Sequence, residues 1–319
     1  MASSLLYISE DEVQSLLNKD DLFSVIEQAF ADVSSKTEGL IIQPPRGFMH
    51  MPSKNAVLLT MPGLSERRKA LACKIVTSFV NNPKNYNLPS ILANIMLFDP
   101  ETGRMRAVVA GTAITEWRTA CASAVATKHL STKRKVLAVL GAGKQGRIHI
   151  IAFQHFFQFE KVRLWNRTHA NAVKLATELK QKFGIEVEVF QTVKDCTRDA
   201  DVIVTATYSS QPIVKYEDIK PDAFINAVGA GINHHSELHT DIYEKSTIYT
   251  DSLTNAKVEL KGLEDQGFRI CGEVGEVING TKSKESGLVI FHSLGMAVED
   301  AVAAELIYNA FQRKQGSAV

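Results

Sequence analysis

The chain has 319 residues, 45% hydrophobic and 22% charged, with 36 basic residues against 35 acidic ones and a formal net charge of +1. That composition belongs to a globular protein, and its length suggests two domains of roughly 100–150 residues each. Balanced charge removes the electrostatic footprint of a nucleic-acid binder, and no apolar run approaches the roughly 20 residues that span a bilayer, so neither nucleic acid nor membrane is an expected partner.

The first residues lack a charged-then-apolar leader pattern, and Cys73, Cys121, Cys196 and Cys271 are scattered with no C-x-x-C pair. A cytoplasmic location with reduced thiols is the expectation.

Ser9-Glu10-Asp11-Glu12 reads as a capping box opening a short helix, and Asp20 or Asp21 as the cap of a second helix with Leu22, Val25, Ile26, Ala29 and Phe30 on its apolar side. Short β-type runs follow at Ala56 to Met61, Leu71 to Phe79, Ser90 to Phe98 and Met105 to Val109, broken by turn residues. They predict an antiparallel sheet. Past Gly111 the pattern turns helical from Ile114 to Leu130, with Ala120, Ala122, Ala124 and Ala126 keeping that helix slim. It is read as the bridge between domains.

From Lys135 onward strands alternate with helices: Val136–Leu140, a helix to about Phe157, Val162–Trp165, a helix through Leu179, Val187–Phe190, Val202–Ala206 and Phe224–Val228. Such alternation predicts a doubly wound parallel sheet. Ile248–Thr250 and Leu288–Phe291 extend it, and Gly295 precedes a last amphipathic helix with Val298, Val302 and Leu306 on one face.

Gly141-Ala142-Gly143-Lys144-Gln145-Gly146 follows an apolar strand and opens a helix, the setting in which G-x-G-x-x-G becomes specific for a dinucleotide. The first glycine allows the turn, the second admits a pyrophosphate and the third lets helix pack on strand, with the helix N-terminus facing the phosphates. An NAD enzyme usually carries an acid at the end of the second strand; here Asn166-Arg167-Thr168 stands there. Arg167 suits a 2′-phosphate that an acid would repel, so NADPH is the predicted cofactor.

Several runs carry a resemblance: Gln43-Pro44-Pro45-Arg46, Lys74-Ile75-Val76-Thr77, Ile114-Thr115 with Arg118-Thr119-Ala120, Leu140 to Gln145, Trp165 to Thr168, Ile225 to Ala230, and Ser293 to Ala303. Over nearly its whole length the chain resembles the ornithine cyclodeaminase/mu-crystallin family. That resemblance implies a Rossmann-type doubly wound domain, residues 118–295, inserted into a smaller α+β substrate-binding and dimerisation domain made of 1–117 plus 296–319. It also implies a homodimer and a cleft site between domains.

Carried over by resemblance, Lys74 is the catalytic residue, and Arg46 and Arg118 hold the substrate carboxylate. Arg118, Ala142, Lys144, Gln145, Asn166, Arg167, Thr168 and Asn171 join the glycines on the cofactor, with Ser90, Thr207, Val228 and Ser293 at further cofactor-side positions. The residues suit these roles: a guanidinium grips a carboxylate with paired hydrogen bonds, and a lysine in the apolar run Leu71-Ala72-Cys73-Lys74-Ile75-Val76 would be costly to bury without a purpose.

Two departures bear on the reaction. Ornithine cyclodeaminases carry an acid two positions before the Met-Pro pair and another after the strand-end glycines; the matching residues here are Leu59, before Met61-Pro62, and Gly231. Neither handles protons. Reduction of a small anionic α-imino acid, a cyclic or linear ketimine, is therefore expected over ammonia elimination, with Gly231 lining the substrate side. The resemblance leaves two alternatives: an opine or amino-acid dehydrogenase, and an NADPH-regulated iodothyronine-binding or lens protein without turnover. His234, His235 and His239 lack acid or cysteine partners at metal spacing, so no metal is expected.

Overall fold

The computed structural model describes residues 5–229 and 235–316. The chain divides into two compact units, Met1–Arg118 with Gly295–Val319, and Thr119–Leu294. Helix Thr112–Leu130 starts in the first and continues into the second.

In the first unit, strands β1 (Tyr7–Ile8), β2 (Ile41–Ile42), β3 (Gly47–Met51), β4 (Ala56–Ser65), β5 (Ala70–Phe79), β6 (Ile91–Phe98) and β7 (Met105–Ala110) form one sheet. Its order is β1-β7-β6-β5-β4-β2, with β3 also on β4. The pairs from β4 to β7 are antiparallel, as expected, whereas β1 joins β7 in parallel. Strands β1, β2 and β3 were not legible: two have only two residues, too short for an alternation to register.

The capping box forms, with the Ser9 hydroxyl accepting from the Glu12 amide while the Glu12 carboxylate accepts from the Ser9 amide. The second helix, Lys19–Val33, is capped by neither aspartate. Asn18 takes the amides of both Asp20 and Asp21, leaving the two acids in the first turn where the helix dipole favours them. The last helix, Ala297–Gly316, is not amphipathic over its first half. Residues 297–305 are all buried, Leu306 only partly, and the helix packs on β4, β5 and β6.

The second unit is a parallel sheet of β8 (Val136–Leu140), β9 (Lys161–Trp165), β10 (Glu188–Phe190), β11 (Val202–Thr205), β12 (Phe224–Ala227), β13 (Ser246–Thr250), β14 (Ile270–Glu273) and β15 (Leu288–His292). The order β10-β9-β8-β11-β12-β15-β13-β14 reverses direction at β8, so the switch point lies between β8 and β11. β8, β11, β12 and β15 carry almost wholly buried apolar runs, as a sheet covered on both faces requires. Strand β14 carries no sequence signal, because Ile270-Cys271-Gly272-Glu273 does not alternate apolar with polar side chains, although its burial alternates. Among the described residues no helix is long and apolar enough to cross a membrane.

The glycines after β8 have different structural duties. Gly141 sits at φ +118°, and a Cβ on Gly146 would lie 1.8 Å from the Gly141 carbonyl oxygen, so helix Lys144–Phe157 can approach the turn only without a side chain there. Gly143 has an ordinary φ of −85°, and nothing lies within 4 Å of its hypothetical Cβ. Urea unfolding is therefore expected to show Gly146→Ala destabilised by about 1–3 kcal/mol or more, and Gly143→Ala unchanged or slightly stabilised. Equal effects would remove the distinction.

Candidate active site

Lys74 lies mid-strand in β5, opposite Met61 on β4 and Ile95 on β6. Residues directly opposite in an antiparallel pair share a face, so its neighbours in the sheet are apolar and buried. The last helix covers that face, and its Asp300 carboxylate meets the Lys74 ammonium at 2.7 Å, with the two side chains only 2% and 1% exposed. Arg118, on helix Thr112–Leu130, pairs through Nη1 with Glu299 at 2.8 Å and through Nε with Asp300 at 3.3 Å. Two buried cations thus face two buried carboxylates.

Arg46 enters from the segment before β3 and donates through Nη2 to the Gly295 carbonyl at 2.9 Å. Gly295 holds φ +81°, and a Cβ there would come within 2.6 Å of Arg118 Nη1. One residue thus receives Arg46 on its carbonyl and admits Arg118 against its Cα. The three residues expected to face the substrate, Arg46, Lys74 and Arg118, are gathered around 295–300 within the first unit.

Glu299 and Asp300 went unassigned in the sequence. A usable signal was there: two adjacent acids in the run Ser293 to Ala303, flanked by apolar and small residues on every side. A buried acid pair implies buried cations elsewhere.

The Lys74 ammonium is pushed down to about 8 from its ordinary 10.5, chiefly by burial and in smaller part by the nearby Arg118 charge. Asp300 and Glu299 oppose this by favouring the charged form. An unfolded lysine keeps its proton to about 10.5, so the penalty for burying the ammonium is complete below pH 8 and is relieved between pH 8 and 10.5. Leu59 lies two residues from Met61 on the Lys74 face, opposite Val76. The position corresponding to a cyclodeaminase acid is thus occupied by a hydrocarbon on the face that carries the lysine.

In the second unit, the Asn166 Oδ1 accepts from the Ala142 amide at 3.0 Å and its Nδ2 donates to the Thr168 carbonyl at 2.9 Å. This ties the glycine turn to the end of β9. Arg167, Thr168 and Asn171 are exposed beside it, Gly143 and Lys144 are exposed, and Gln145 is half-buried. Among the described residues Arg167 forms no ion pair. The open space at Gly143, with the N–H groups of the first helical turn behind it, fits a phosphate group.

Thr207 follows β11, Val228 follows β12 and Ser293 follows β15, all at the C-terminal edge of the sheet. The Ser293 hydroxyl is buried without a hydrogen-bond partner among the described residues. Ser90 falls in the first unit, half-buried just before β6, with its carbonyl accepting from the Phe79 amide at 2.7 Å. Gly231 and His234 lie outside the described residues.

Helix Lys144–Phe157 also holds a buried histidine. His149 Nδ1 lies 2.7 Å from the Gln145 carbonyl and Nε2 lies 2.9 Å from Ser123 Oγ, while burial pushes the ring down to about 4. A neutral imidazole donating from Nδ1 and accepting at Nε2 satisfies both contacts, so His149 serves packing between helices.

The ornithine cyclodeaminase/mu-crystallin family profile matches residues 6–315. The chain belongs to this family. The ketimine reductase mu-crystallin of Rattus norvegicus is 39% identical over 308 residues, 96% of this chain and 97% of that protein. Among solved structures, the Delta(1)-pyrroline-2-carboxylate reductase of Thermococcus litoralis, in complex with NADH and L-proline, is 31% identical with a TM-score of 0.90 over 98% of each chain. An archaeal alanine dehydrogenase dimer with bound NAD is 29% identical with a TM-score of 0.89 over 98% of this chain and 97% of that one.

Removing one member of the buried quartet strands its partner's charge. Glu299→Ala should cost about 3–5 kcal/mol in urea unfolding, far more than loss of the exposed pair Lys133–Asp222 by Asp222→Ala, at about 0–1 kcal/mol. Comparable losses would show that Arg118 is not committed to Glu299.

Proposed function

We propose that this chain is an oxidoreductase that uses NADPH to reduce cyclic or linear ketimines, small α-imino acids, to amino acids. The observation that carries the reading is the Lys74–Asp300 pair, an ammonium held in an apolar sheet face with a proton affinity brought close to neutral pH. A group titrating near the working pH is an effective proton donor.

Arg46 and Arg118 would hold the substrate carboxylate. The planar guanidinium fork matches a carboxylate with two parallel hydrogen bonds. Lys74 would keep the imine nitrogen protonated, which makes the adjacent carbon electrophilic. The bound nicotinamide supplies hydride to that carbon. Leu59 and Gly231 provide no base to activate water, so addition of water and loss of ammonia lack a proton acceptor at the two positions where the cyclodeaminases have one.

On the cofactor side, the open cradle at Gly143 would receive the pyrophosphate, and Arg167 with Thr168 and Asn171 would surround a 2′-phosphate. Both solved relatives carry NADH or NAD, which makes Arg167 the residue to test. The exposed apolar residues Phe48, Met49, Ile91 and Leu92 on β3 and β6 support a homodimer through this sheet, as does the dimeric alanine dehydrogenase. An amino-acid dehydrogenase activity is the second reading, favoured by that same relative.

NADPH absorbance distinguishes these readings. Oxidation with cyclic ketimines supports the first, oxidation with a keto acid plus ammonia or an amine supports the second, and iodothyronine binding without oxidation of either would overturn both. Lys74→Met is expected to lower kcat by about 10²-fold or more with NADPH affinity within threefold. The alkaline limb of kcat should fall as pH rises through about 8, because the donor proton is lost there. Asp300→Asn removes the carboxylate that favours the ammonium and should move that limb down by about one unit or more. An unmoved limb would detach Lys74 from the proton step. Arg167→Asp should reverse the preference to NADH, and unchanged NADPH affinity would refute the role given to Arg167.

A further inference from the structure

Glu237 is only 1% exposed, yet no cation is paired with it among the described residues. Instead three donors converge on its carboxylate. Oε1 accepts from the Thr207 amide at 2.7 Å and from the Thr207 hydroxyl at 2.5 Å, while Oε2 accepts from the Gly229 amide at 3.0 Å. Gly229 is shaped for this contact, since a Cβ there would stand 2.1 Å from Oε2.

The backbone of Glu237 is anchored as well. Its carbonyl accepts from the amides of Ile213 at 2.7 Å and Val214 at 3.2 Å, and the next residue, Leu238, bridges to Val214. Its neighbour Ser236 donates to the Ser209 carbonyl at 2.6 Å. The carboxylate therefore projects from a fixed base and ties together the segments that leave two adjacent parallel strands, β11 and β12.

Those two segments carry Thr207 and Val228, and a parallel sheet of this order binds ligands along the edge where they emerge. Burial outweighs the hydrogen bonds and raises the proton affinity of the Glu237 carboxyl above the usual range, while the Thr207 and Gly229 donors oppose that shift. Retaining an acid at such a place for packing would be costly, because a buried carboxylate must be compensated by well-aimed donors.

We infer that Glu237 is a positioning residue for the dinucleotide: it sets the separation of the Thr207 and Gly229 segments at the C-terminal edge of the sheet, where the cofactor would lie. The inference rests on the cofactor reading proposed above.

The test uses Glu237→Gln in the full-length protein, with Gly229→Ala as a second variant that disturbs the same contact from its other side. Glutamine keeps the size of the side chain but has one acceptor oxygen instead of two, so it cannot accept from the Thr207 and Gly229 amides together and the link between the two segments is broken. Three readouts are taken: NADPH Kd by fluorescence, kcat at saturating NADPH, and amide hydrogen exchange over 205–209 and 227–229 without cofactor. Both variants should raise the NADPH Kd at least tenfold and speed exchange at Thr207 and Gly229 at least tenfold, with kcat changed less than threefold.

A purely structural role would speed exchange across the whole second unit and lower kcat and affinity together, which would overturn the inference. So would NADPH affinity within twofold of the parent in both variants. A parent protein that binds neither NADPH nor NADH would defeat the cofactor reading itself, an outcome distinct from a parent that binds and variants that bind equally well.

Discussion

A positive charge cannot stay in the apolar face of a sheet unless an opposite charge is brought to it, and the first unit is organised around meeting that requirement for Lys74 and Arg118. The carboxylates come from one helical turn of the last helix, where Glu299 reaches Arg118 and Asp300 reaches both Arg118 and Lys74. Pairing of this kind adds little net stability over a hydrocarbon core, because desolvation offsets most of the attraction. Its effect is to specify. The C-terminal helix has to seat with this turn over β5, and Gly295 has to lack a side chain so that the Arg118 guanidinium fits beside it.

The same pairing sets the chemistry available to the lysine. Burial lowers the lysine's proton affinity and the carboxylates oppose that shift, with the balance at about 8. The acid on the lysine is therefore a tuning group, and it differs in kind from the acids that the cyclodeaminase branch would place on the substrate side. With leucine at position 59 and glycine at 231, acidity in the first unit's cluster is directed at the protein's own cations. That distinction is the physical basis for favouring reduction over deamination.

In the second unit, one fold feature divides into separate constraints. Gly141 answers to backbone conformation, Gly146 to the approach of a helix and Gly143 to nothing within the protein. A position whose small size no internal contact demands points to an external group. Asn166 and Glu237 are the polar counterparts. Each uses its side chain to fasten a loop at the C-terminal edge of the sheet, the first at β8 and β9 and the second at β11 and β12.

Much of this is legible in the sequence alone. The alternation of strands and helices after Lys135, the glycine turn and the antiparallel run from Ala56 to Ala110 are local patterns, and local periodicity fixes element type. Lys74 stands out as a charge in an apolar run and Arg167 by its place at the end of β9, whereas Arg46 and Arg118 are named through the family resemblance. What the sequence could not decide is which partner each one meets. Asn18 displaced Asp20 and Asp21 as the helix cap because capping depends on backbone direction, and the final helix is buried all round because it lies against a sheet remote in sequence. Lys74 and Asp300 are more than two hundred residues apart, as are Arg46 and Gly295. Pairing at such separations is a property of chain topology, and so the sequence determined the residues while the tertiary structure decided which of them meet.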